Sequence, residues 1–424
     1  MKSERVSPLY RRYVLGVLVL VYAANFVDRQ ILSILVQPIK EELGVSDTWM
    51  GFLTGITFAL FYTIAGIPIA RWADRGSRRN LIVIGLALWS AMTALSGLAK
   101  NFFHLAAARI GVGVGEATLS PAAHSMISDY YPPEKRATAL AIYSMGIHLG
   151  IFLGYFLGGW INELYGWRAA FMVVGLPGLL LAVFVFFTVR EPIRGSVEEI
   201  SDQQQPSIKA VLSFLSGLSS ARHLTLATSY IAFAGYGAAI WTPAFLYRVH
   251  GMGTGEAGTW LGILTGLFGG MGAFLGGYLA DKLSIRDPRF ALWLPGMASF
   301  AAIPFAVAFY ALDDVNLGLI CAAPSLVFSA MYLGPSFAVA ANLSSLRMRA
   351  MTAAILIFVI NLVGLGLGPL VVGALNDALN PRFGVEAIRY SLIFVQALML
   401  LLAGTHFFLG ARTLSPDLLA KDNL

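Results

Sequence analysis

Apolar stretches of about 20 residues alternate with short polar loops along the whole chain. One helix needs about 20 mostly apolar residues to cross the hydrocarbon core of a bilayer, and each stretch meets that length. The pattern therefore predicts an all-α polytopic membrane protein with twelve transmembrane helices, at 14–36, 49–70, 80–98, 102–127, 137–160, 168–188, 223–247, 258–280, 290–312, 317–340, 351–375 and 388–410.

One polar stretch is much longer than the other loops, and it divides the twelve segments into six and six. It runs from residue 190 to residue 222. The predicted organisation is an N-terminal six-helix half at 1–189, a cytoplasmic linker at 190–222 and a C-terminal six-helix half at 223–424.

The loops of the two halves repeat each other. Residues 70–79, after segment 2, read Ala-Arg-Trp-Ala-Asp-Arg-Gly-Ser-Arg-Arg, and residues 277–286, after segment 8, read Gly-Tyr-Leu-Ala-Asp-Lys-Leu-Ser-Ile-Arg. Arg-Ala-Thr from Arg136 matches Arg-Ala-Met-Thr from Arg349, after segments 4 and 10. Two pseudo-symmetric halves are typical of one class of secondary transporter.

Composition supports the membrane interpretation and excludes several classes of protein. Hydrophobic residues make up 57% of the chain and charged residues 12%, whereas soluble domains carry about 25% charged residues. The net charge of +6 comes from bases in the loops, so no nucleic-acid partner is expected. The single cysteine, Cys321, excludes an internal disulfide or a cysteine metal cluster, and no cofactor or metal is predicted.

The distribution of Lys and Arg predicts the orientation. With the N-terminus inside, 21 of the 29 bases fall in inside segments, 6 fall in outside loops, and the other two are intramembrane. Because cytoplasmic loops carry an excess of bases, we expect an inner (plasma) membrane protein with both termini in the cytoplasm.

Four charged residues lie deep in predicted spans: Asp28 and Arg29 in segment 1, and Arg109 and Glu116 in segment 4. Each costs roughly 2.5–3.5 kcal/mol at the centre of a helix by insertion scales. Two interpretations stay open. The residues form structural salt bridges, or they form a site in which a protonatable acid lies beside a guanidinium that binds a substrate anion.

Further candidates are polar or aromatic side chains inside the spans. Those predicted to line a substrate site are Tyr22, Asn25, His148, Tyr236 and Trp241. Segment 5 also carries glycine at every fourth position from 146 to 158, which predicts a close helix contact.

The second half has no deep charge. A substrate with one polar head and an apolar body suits a charged first half and an apolar second half. We therefore expect an amphipathic, lipid-like small molecule as the substrate, with protons and the bilayer as further partners and a monomeric protein.

The loop after segment 2 resembles the signature of the major facilitator superfamily, Gly-x-x-x-Asp-Arg/Lys-x-Gly-Arg/Lys-Arg/Lys. Asp74, Arg75, Arg78 and Arg79 match it, Ala and Ser replace the two glycines, and Asp281 belongs to the second copy. The resemblance implies the major facilitator fold, and we interpret these residues as a cytoplasmic gate.

Several stretches are similar to the Spinster branch of this superfamily. They are residues 25–29 (Asn-Phe-Val-Asp-Arg), 111–117 (Gly-Val-Gly-Val-Gly-Glu-Ala), 127–129 (Ile-Ser-Asp) and 189–195 (Val-Arg-Glu-Pro-Ile-Arg-Gly). The resemblance implies transport of sphingolipids or lysophospholipids, with functional positions at Asp28, Arg29 and Glu116. The compact loops suggest a bacterial member.

The function expected from the sequence is secondary active transport by alternating access, proton-coupled through Asp28 or Glu116. An organic-anion symporter or a multidrug exporter of the same fold is the alternative. An ATP-driven pump is disfavoured because the chain has no Gly-x-x-x-x-Gly-Lys-Ser/Thr loop. No catalytic triad spacing is seen, and an enzyme is not expected.

Overall fold

The computed structural model describes residues 7–193, 207–345 and 347–421. Within these ranges the side chains of six residues are outside the description: Ile67, Ala70, Arg71, Asp74, Ala420 and Lys421. The described chain folds into helices and contains no β-strand.

Seventeen α-helices are described: α1 (Pro8–Leu43), α2 (Asp47–Thr54), α3 (Ile56–Arg75), α4 (Arg78–Ser96), α5 (Phe102–Glu116), α6 (Leu119–Tyr130), α7 (Pro133–Thr188), α8 (Ile208–Gly217), α9 (Ser219–His250), α10 (Thr254–Ile263), α11 (Gly270–Ser284), α12 (Phe290–Ala311), α13 (Val315–Ala330), α14 (Leu333–Leu343), α15 (Arg349–Ile360), α16 (Gly368–Phe383) and α17 (Ala387–Lys421). Turns of π-helix at Leu264–Gly269 and Asn361–Leu367 join α10 to α11 and α15 to α16.

The described helices account for all twelve predicted spans. Among the described residues, nine helical stretches are long and apolar enough to cross a membrane. Two of them, Pro133–Thr188 and Arg349–Leu419, have 56 and 71 residues, enough for two crossings each at about 1.5 Å per residue. The predicted span at 102–127 is built from the shorter helices α5 and α6.

The turn between the fifth and sixth spans depends on a glycine. Gly166 interrupts α7 with φ 83° and ψ 163°, in the left-handed region that residues with a side chain rarely adopt. The chain therefore breaks its helix there, between the predicted segments 137–160 and 168–188.

The glycine face of α7 packs against α1, as the four-residue spacing predicts. A Cβ atom added at Gly150 would lie 2.4 Å from the Ala23 carbonyl oxygen, and one at Gly146 would lie 2.8 Å from that of Val19. The two backbones thus approach too closely for any side chain at these positions. This contact fixes the rotation of α1, and with it the direction in which Asp28 and Arg29 project.

The chain packs into two compact units. Unit 1 comprises Met1–Val45, Thr57–Asp202 and Met252–Gly262, and unit 2 comprises Ser46–Ile56, Gln203–Gly251 and Ile263–Leu424. The predicted halves 1–189 and 223–424 follow chain order, whereas by packing two short segments, 46–56 and 252–262, belong to the opposite unit.

Within unit 2, carboxylates hold segment 46–56 in place. Asp377 accepts hydrogen bonds from the backbone N–H groups of Asp47 (3.1 Å) and Thr48 (2.8 Å) at the start of α2. Arg248 donates two hydrogen bonds to the buried Asp47 carboxylate, at 2.6 and 2.8 Å. The N-terminus of α2 is therefore capped, and its first acid is paired.

Unit 1 holds segment 252–262 in a similar way. Glu163 of α7 accepts a hydrogen bond from the Gly255 backbone N–H, at 2.7 Å, in the first turn of α10. Asn162 donates to the Thr254 hydroxyl at 2.9 Å. In both segments, a carboxylate of the surrounding unit therefore lies at the N-terminus of the segment's helix, where it accepts backbone hydrogen bonds.

Candidate functional site

The structure brings the four predicted intramembrane charges together within unit 1. Asp28, Arg109 and Glu116 are between 1% and 2% exposed, and the Arg29 side chain is 17% exposed. Arg29 is therefore the most accessible member of the cluster.

Arg29 pairs with Glu116 of α5. Its Nε and Nη2 atoms both donate to Glu116 Oε2, at 3.0 and 2.6 Å, while Glu116 Oε1 has no hydrogen-bond partner. Three aromatic rings surround the guanidinium, with Arg29 Cζ 4.9 Å from the Phe26 centroid, 5.0 Å from that of Phe58 and 5.2 Å from that of Tyr62. Such rings attract a cation, so Arg29 is held by one carboxylate oxygen and an aromatic cage.

Arg109 binds the backbone of α1. Its Nη1 donates to the Asp28 carbonyl oxygen at 3.2 Å, and its Cζ lies 5.5 Å from the Phe58 ring centroid. Its Nε has no hydrogen-bond partner. Arg109 thus ties α5 to α1 and leaves the Asp28 carboxyl group outside this hydrogen bond.

The Asp28 carboxyl group makes no ion pair among the described residues, and its Oδ1 has no hydrogen-bond partner. Trp89 and Thr93 of α4 are the polar side chains beside it. The Trp89 indole nitrogen and the Thr93 hydroxyl are buried and also lack partners of standard geometry. A carboxyl group in this position can gain or lose a proton without breaking an ion pair.

The other predicted lining residues of unit 1 are at or near this cluster. Asn25 is 3% exposed, lies beside Glu116 and has an amide nitrogen without a partner. Tyr22 stacks on Tyr143 at 4.3 Å between ring centroids. His148 is half-buried on α7, and its Nδ1 has no partner. Contact of these residues with a substrate stays a prediction.

The two predicted lining residues of unit 2 lie in different surroundings. Tyr236 is half-buried and packs against an apolar cluster that includes Ile360. Trp241 is fully buried, and its indole N–H donates to the Pro369 carbonyl oxygen at 2.8 Å. Substrate contact stays a prediction for both, and the only polar atom of the Trp241 side chain is already bonded to the backbone near the start of α16.

In the signature loop, Arg78 binds several partners within unit 1. It is 1% exposed, donates to Glu191 at 2.7 Å and to Ser125 at 2.9 Å, and forms an ion pair with Asp129. It also donates to the Pro192 carbonyl oxygen at 2.9 Å. Arg78 thus joins the start of α4, the end of α6 and the segment after α7.

The remaining residues of the predicted gate are more exposed or outside the description. Arg75 is exposed, and Arg79 lies over the Phe186 ring at 5.0 Å. The side chain of Asp74 is outside the described residues, and Asp281 is exposed beside a cavity in unit 2. The gating role of the motif stays a prediction.

Hydrogen bonds to Glu191 control its charge. Burial alone would raise the pKa of its carboxyl group, but the backbone N–H of Arg79 and the side chains of Arg78 and Ser77 donate to it and hold the pKa below its usual value. A carboxyl group with a lowered pKa in the folded state stabilises the fold above its unfolded pKa, about 4.3, and this contribution is lost as the pH falls through the folded-state pKa.

Glu191→Gln should therefore lower the melting temperature at pH 7, and the difference from wild type should shrink as the pH falls below about 4.3 and vanish below the folded-state pKa of Glu191. Thermal unfolding in detergent across this pH range measures the effect. Glu134→Gln, which removes an exposed acid from the first turn of α7, is the matched control. An effect of Glu191→Gln that is independent of pH would contradict the role of its charge.

Sequence reasoning missed several members of these clusters. Asp129 and Glu191 were noted only as parts of Spinster-like stretches, although both are acids that directly follow apolar segments. Trp89 and Thr93 gave no signal, because neither is unusual in a transmembrane helix. Only the packing of α4 beside α1 reveals them.

Comparisons with known proteins place this architecture in a family. The sequence model of the protein family described as Major Facilitator Superfamily matches residues 18–327 of this chain. A protein of Mycolicibacterium smegmatis named as an MFS-type efflux pump is 34% identical over 99% of this chain and 97% of its own length. A probable L-galactonate transporter of Escherichia coli is 29% identical over 66% of this chain and 64% of its own length.

A solved structure covers nearly the whole chain. It is the crystal structure of a bacterial homologue of the human lysosomal transporter Spinster, in an inward-facing and unoccupied conformation. It matches with a TM-score of 0.89 and 32% identity over 97% of this chain and 99% of its own. This chain therefore belongs to the major facilitator superfamily of membrane transporters and is of the Spinster type.

Proposed function

We propose that this protein is a secondary active transporter of an amphipathic, lipid-like substrate of the sphingolipid or lysophospholipid class, working by alternating access and coupled to protons through Asp28 and Glu116. The observation that carries the proposal is the Arg29–Glu116 ion pair beside the Asp28 carboxyl group, which has no ion-pair partner among the described residues. The plasma membrane, with both termini in the cytoplasm, is the proposed location, supported by the 21 bases in predicted inside segments.

The anionic head of the substrate binds at Arg29. The Arg29 side chain is 17% exposed, whereas the Glu116 side chain is 0% exposed, so an anion arriving from open space meets the guanidinium first. The planar Arg guanidinium can donate two parallel hydrogen bonds to either a phosphate or a carboxylate group. The incoming anion competes with Glu116 for Arg29, and a buried Glu116 that has lost its partner must take up a proton.

Asp28 supplies the second proton-binding group. Its carboxyl group is buried within the same cluster and does not compete for Arg29, which projects from the next position of α1. Asp28 and Arg29 are adjacent in a helix and do not face each other. Asp28 and Glu116, which binds Arg29, therefore lie in different surroundings. Substrate binding at Arg29 and protonation at Asp28 can then be linked through the shared charge of the cluster.

The apolar body of the substrate requires a surface without buried charge. In unit 2 the buried charged residues among those described are Asp47, at the start of α2, and Arg389, near the start of α17. In unit 1 the aromatic cage around Arg29 offers apolar surface for this part of the substrate.

The relatives support a second candidate, export or symport of other amphipaths or organic anions. One relative is named as an efflux pump and another as a probable sugar-acid transporter. A carboxylate substrate would use Arg29 in the same way as a phosphate. The two candidates differ in the apolar body of the substrate, and a transport assay distinguishes them.

Transport into proteoliposomes tests the proposal. With an imposed pH gradient, the reconstituted protein should move a fluorescent lysophospholipid above the rate of empty liposomes, and collapsing the gradient with a protonophore should remove the excess. L-galactonate should not compete. Transport of galactonate without any transport of lysophospholipid or sphingosine would reject the lipid class and favour the second candidate.

A further inference from the structure

The second copy of the signature loop borders a cavity of about 570 Å³ in unit 2. The cavity lies among the ends of α11, α14 and α17 and the start of α12. Asp281, Ser284, Asn342, Leu414 and Leu418 are among the residues that line it. Its volume falls in the range of small-molecule sites, about 300–1,000 Å³.

The internal repeat relates this cavity to the Arg78 cluster of unit 1. Aligning residues 70–79 with residues 277–286 matches Ser77 with Ser284 and Arg78 with Ile285. Aligning Arg136 with Arg349 extends the match along the preceding helices. The pairs that it adds are Ser125 with Ala338 and Asp129 with Asn342.

In unit 1 the guanidinium of Arg78 fills the space between these positions, where it binds Ser125 and Asp129. In unit 2 the matching positions, Ala338 and Asn342, line the cavity instead.

The loop before α12 explains why the residue that matches Arg78 does not fill the unit 2 site. Helix α11 ends at Ser284 and α12 begins at Phe290, whereas α3 ends at Arg75 and α4 begins at Arg78. The longer loop carries Ile285 away, and Ile285 is 86% exposed. The unit 2 cavity thus corresponds to the space that the buried Arg78 side chain fills in unit 1, but the matching residue, Ile285, does not fill it.

The polar groups of the cavity suit a cation. The Asp281 carboxylate is exposed at the cavity and makes no hydrogen bond or ion pair in the described part of the chain. The Ser284 hydroxyl is buried without a partner. Among the residues whose side chains are described, no base lines the cavity: Lys282 and Arg286 of the same loop are exposed and are not among its lining residues.

We infer that this cavity binds an organic cation, a guanidinium or alkylammonium group with a short apolar tail. The cationic head binds the Asp281 carboxylate and the Ser284 hydroxyl, taking the place that Arg78 occupies in unit 1. The tail lies against Leu414 and Leu418. The same chemistry is available from a soluble amphipathic amine and from the ammonium group of a lipid head.

Binding of octylguanidinium to the full-length protein in detergent micelles, measured by isothermal titration calorimetry, tests the inference. The Asp28→Asn background removes as a competing site the one acid of the unit 1 cluster that makes no ion pair among the described residues. Octylguanidinium should bind with one site and roughly fivefold more tightly than the neutral octylurea, a ratio typical of one exposed ion pair. Asp281→Asn should remove this preference.

Two further variants make the test specific. Asp287→Asn changes a half-buried acid of the same loop, paired with Arg289, that does not line the cavity, and it should bind as wild type does. Ala338→Phe should fill the cavity and abolish binding, with its melting temperature without ligand reporting whether it folds. Equal binding by wild type and Asp281→Asn would overturn the inference, because Asp281 is exposed and its replacement leaves the fold intact.

Nanodiscs distinguish the two sources of the cation. If a lipid head fills the site, phosphatidylethanolamine in the nanodisc should erase the difference between wild type and Asp281→Asn. If the ligand is soluble, the difference should persist in that lipid.

Discussion

Asp28→Asn should reduce transport driven by a pH gradient to the level of empty liposomes while leaving thermal unfolding close to that of wild type. The carboxyl group is 2% exposed and makes no ion pair among the described residues. The asparagine side chain has nearly the same shape as that of aspartate, but its amide neither binds nor releases a proton at the pH of a transport assay. The fold loses no charge pair, but the transporter loses a titratable group inside the cluster.

The measurement compares two modes of transport in the same proteoliposomes. Uptake driven by a pH gradient should vanish, whereas exchange of labelled for unlabelled substrate at equal pH should persist, because Arg29 and Glu116 are untouched. Glu41→Gln, an exposed carboxyl-to-amide change on the same helix, should leave both modes unchanged. Normal gradient-driven uptake by Asp28→Asn would assign proton coupling to Glu116 instead.

Arg78→Met should lower the free energy of unfolding by about 3–5 kcal/mol, the usual cost of removing one partner from a buried ion pair. Arg78 is 1% exposed and neutralises both Asp129 and Glu191. Methionine keeps much of the apolar stem but removes the guanidinium that pairs with both carboxylates. The end of unit 1 where α4, α6 and the segment after α7 meet should loosen first.

Equilibrium unfolding in mixed micelles measures this loss. Arg75→Met, which removes an exposed arginine of the same loop, should change the free energy by less than about 0.5 kcal/mol. Combining Arg78→Met with Asp129→Asn should cost less than the sum of the two single changes, because the residues interact directly. A loss below about 1 kcal/mol for Arg78→Met would show that water already screens this cluster.

The amino-acid sequence by itself determined the number and length of the membrane-spanning helices. The lengths of the apolar segments predict twelve helical spans because a bilayer accepts only helices of a set length in such a chain. The glycines spaced by four residues in α7 predict a close contact, and the contact with α1 is present. Charges placed in apolar segments identify the cluster, since no membrane helix needs them.

Only the tertiary structure decided which charges meet. Arg29 binds Glu116, 87 positions away, although Asp28 is its neighbour in the chain. Arg109 binds a backbone carbonyl oxygen rather than a carboxylate, and Arg78 selects Asp129 and Glu191 on other segments. A buried charge pairs with the group that helix packing turns toward it, and the rotation of each helix depends on its neighbours, which local sequence does not specify.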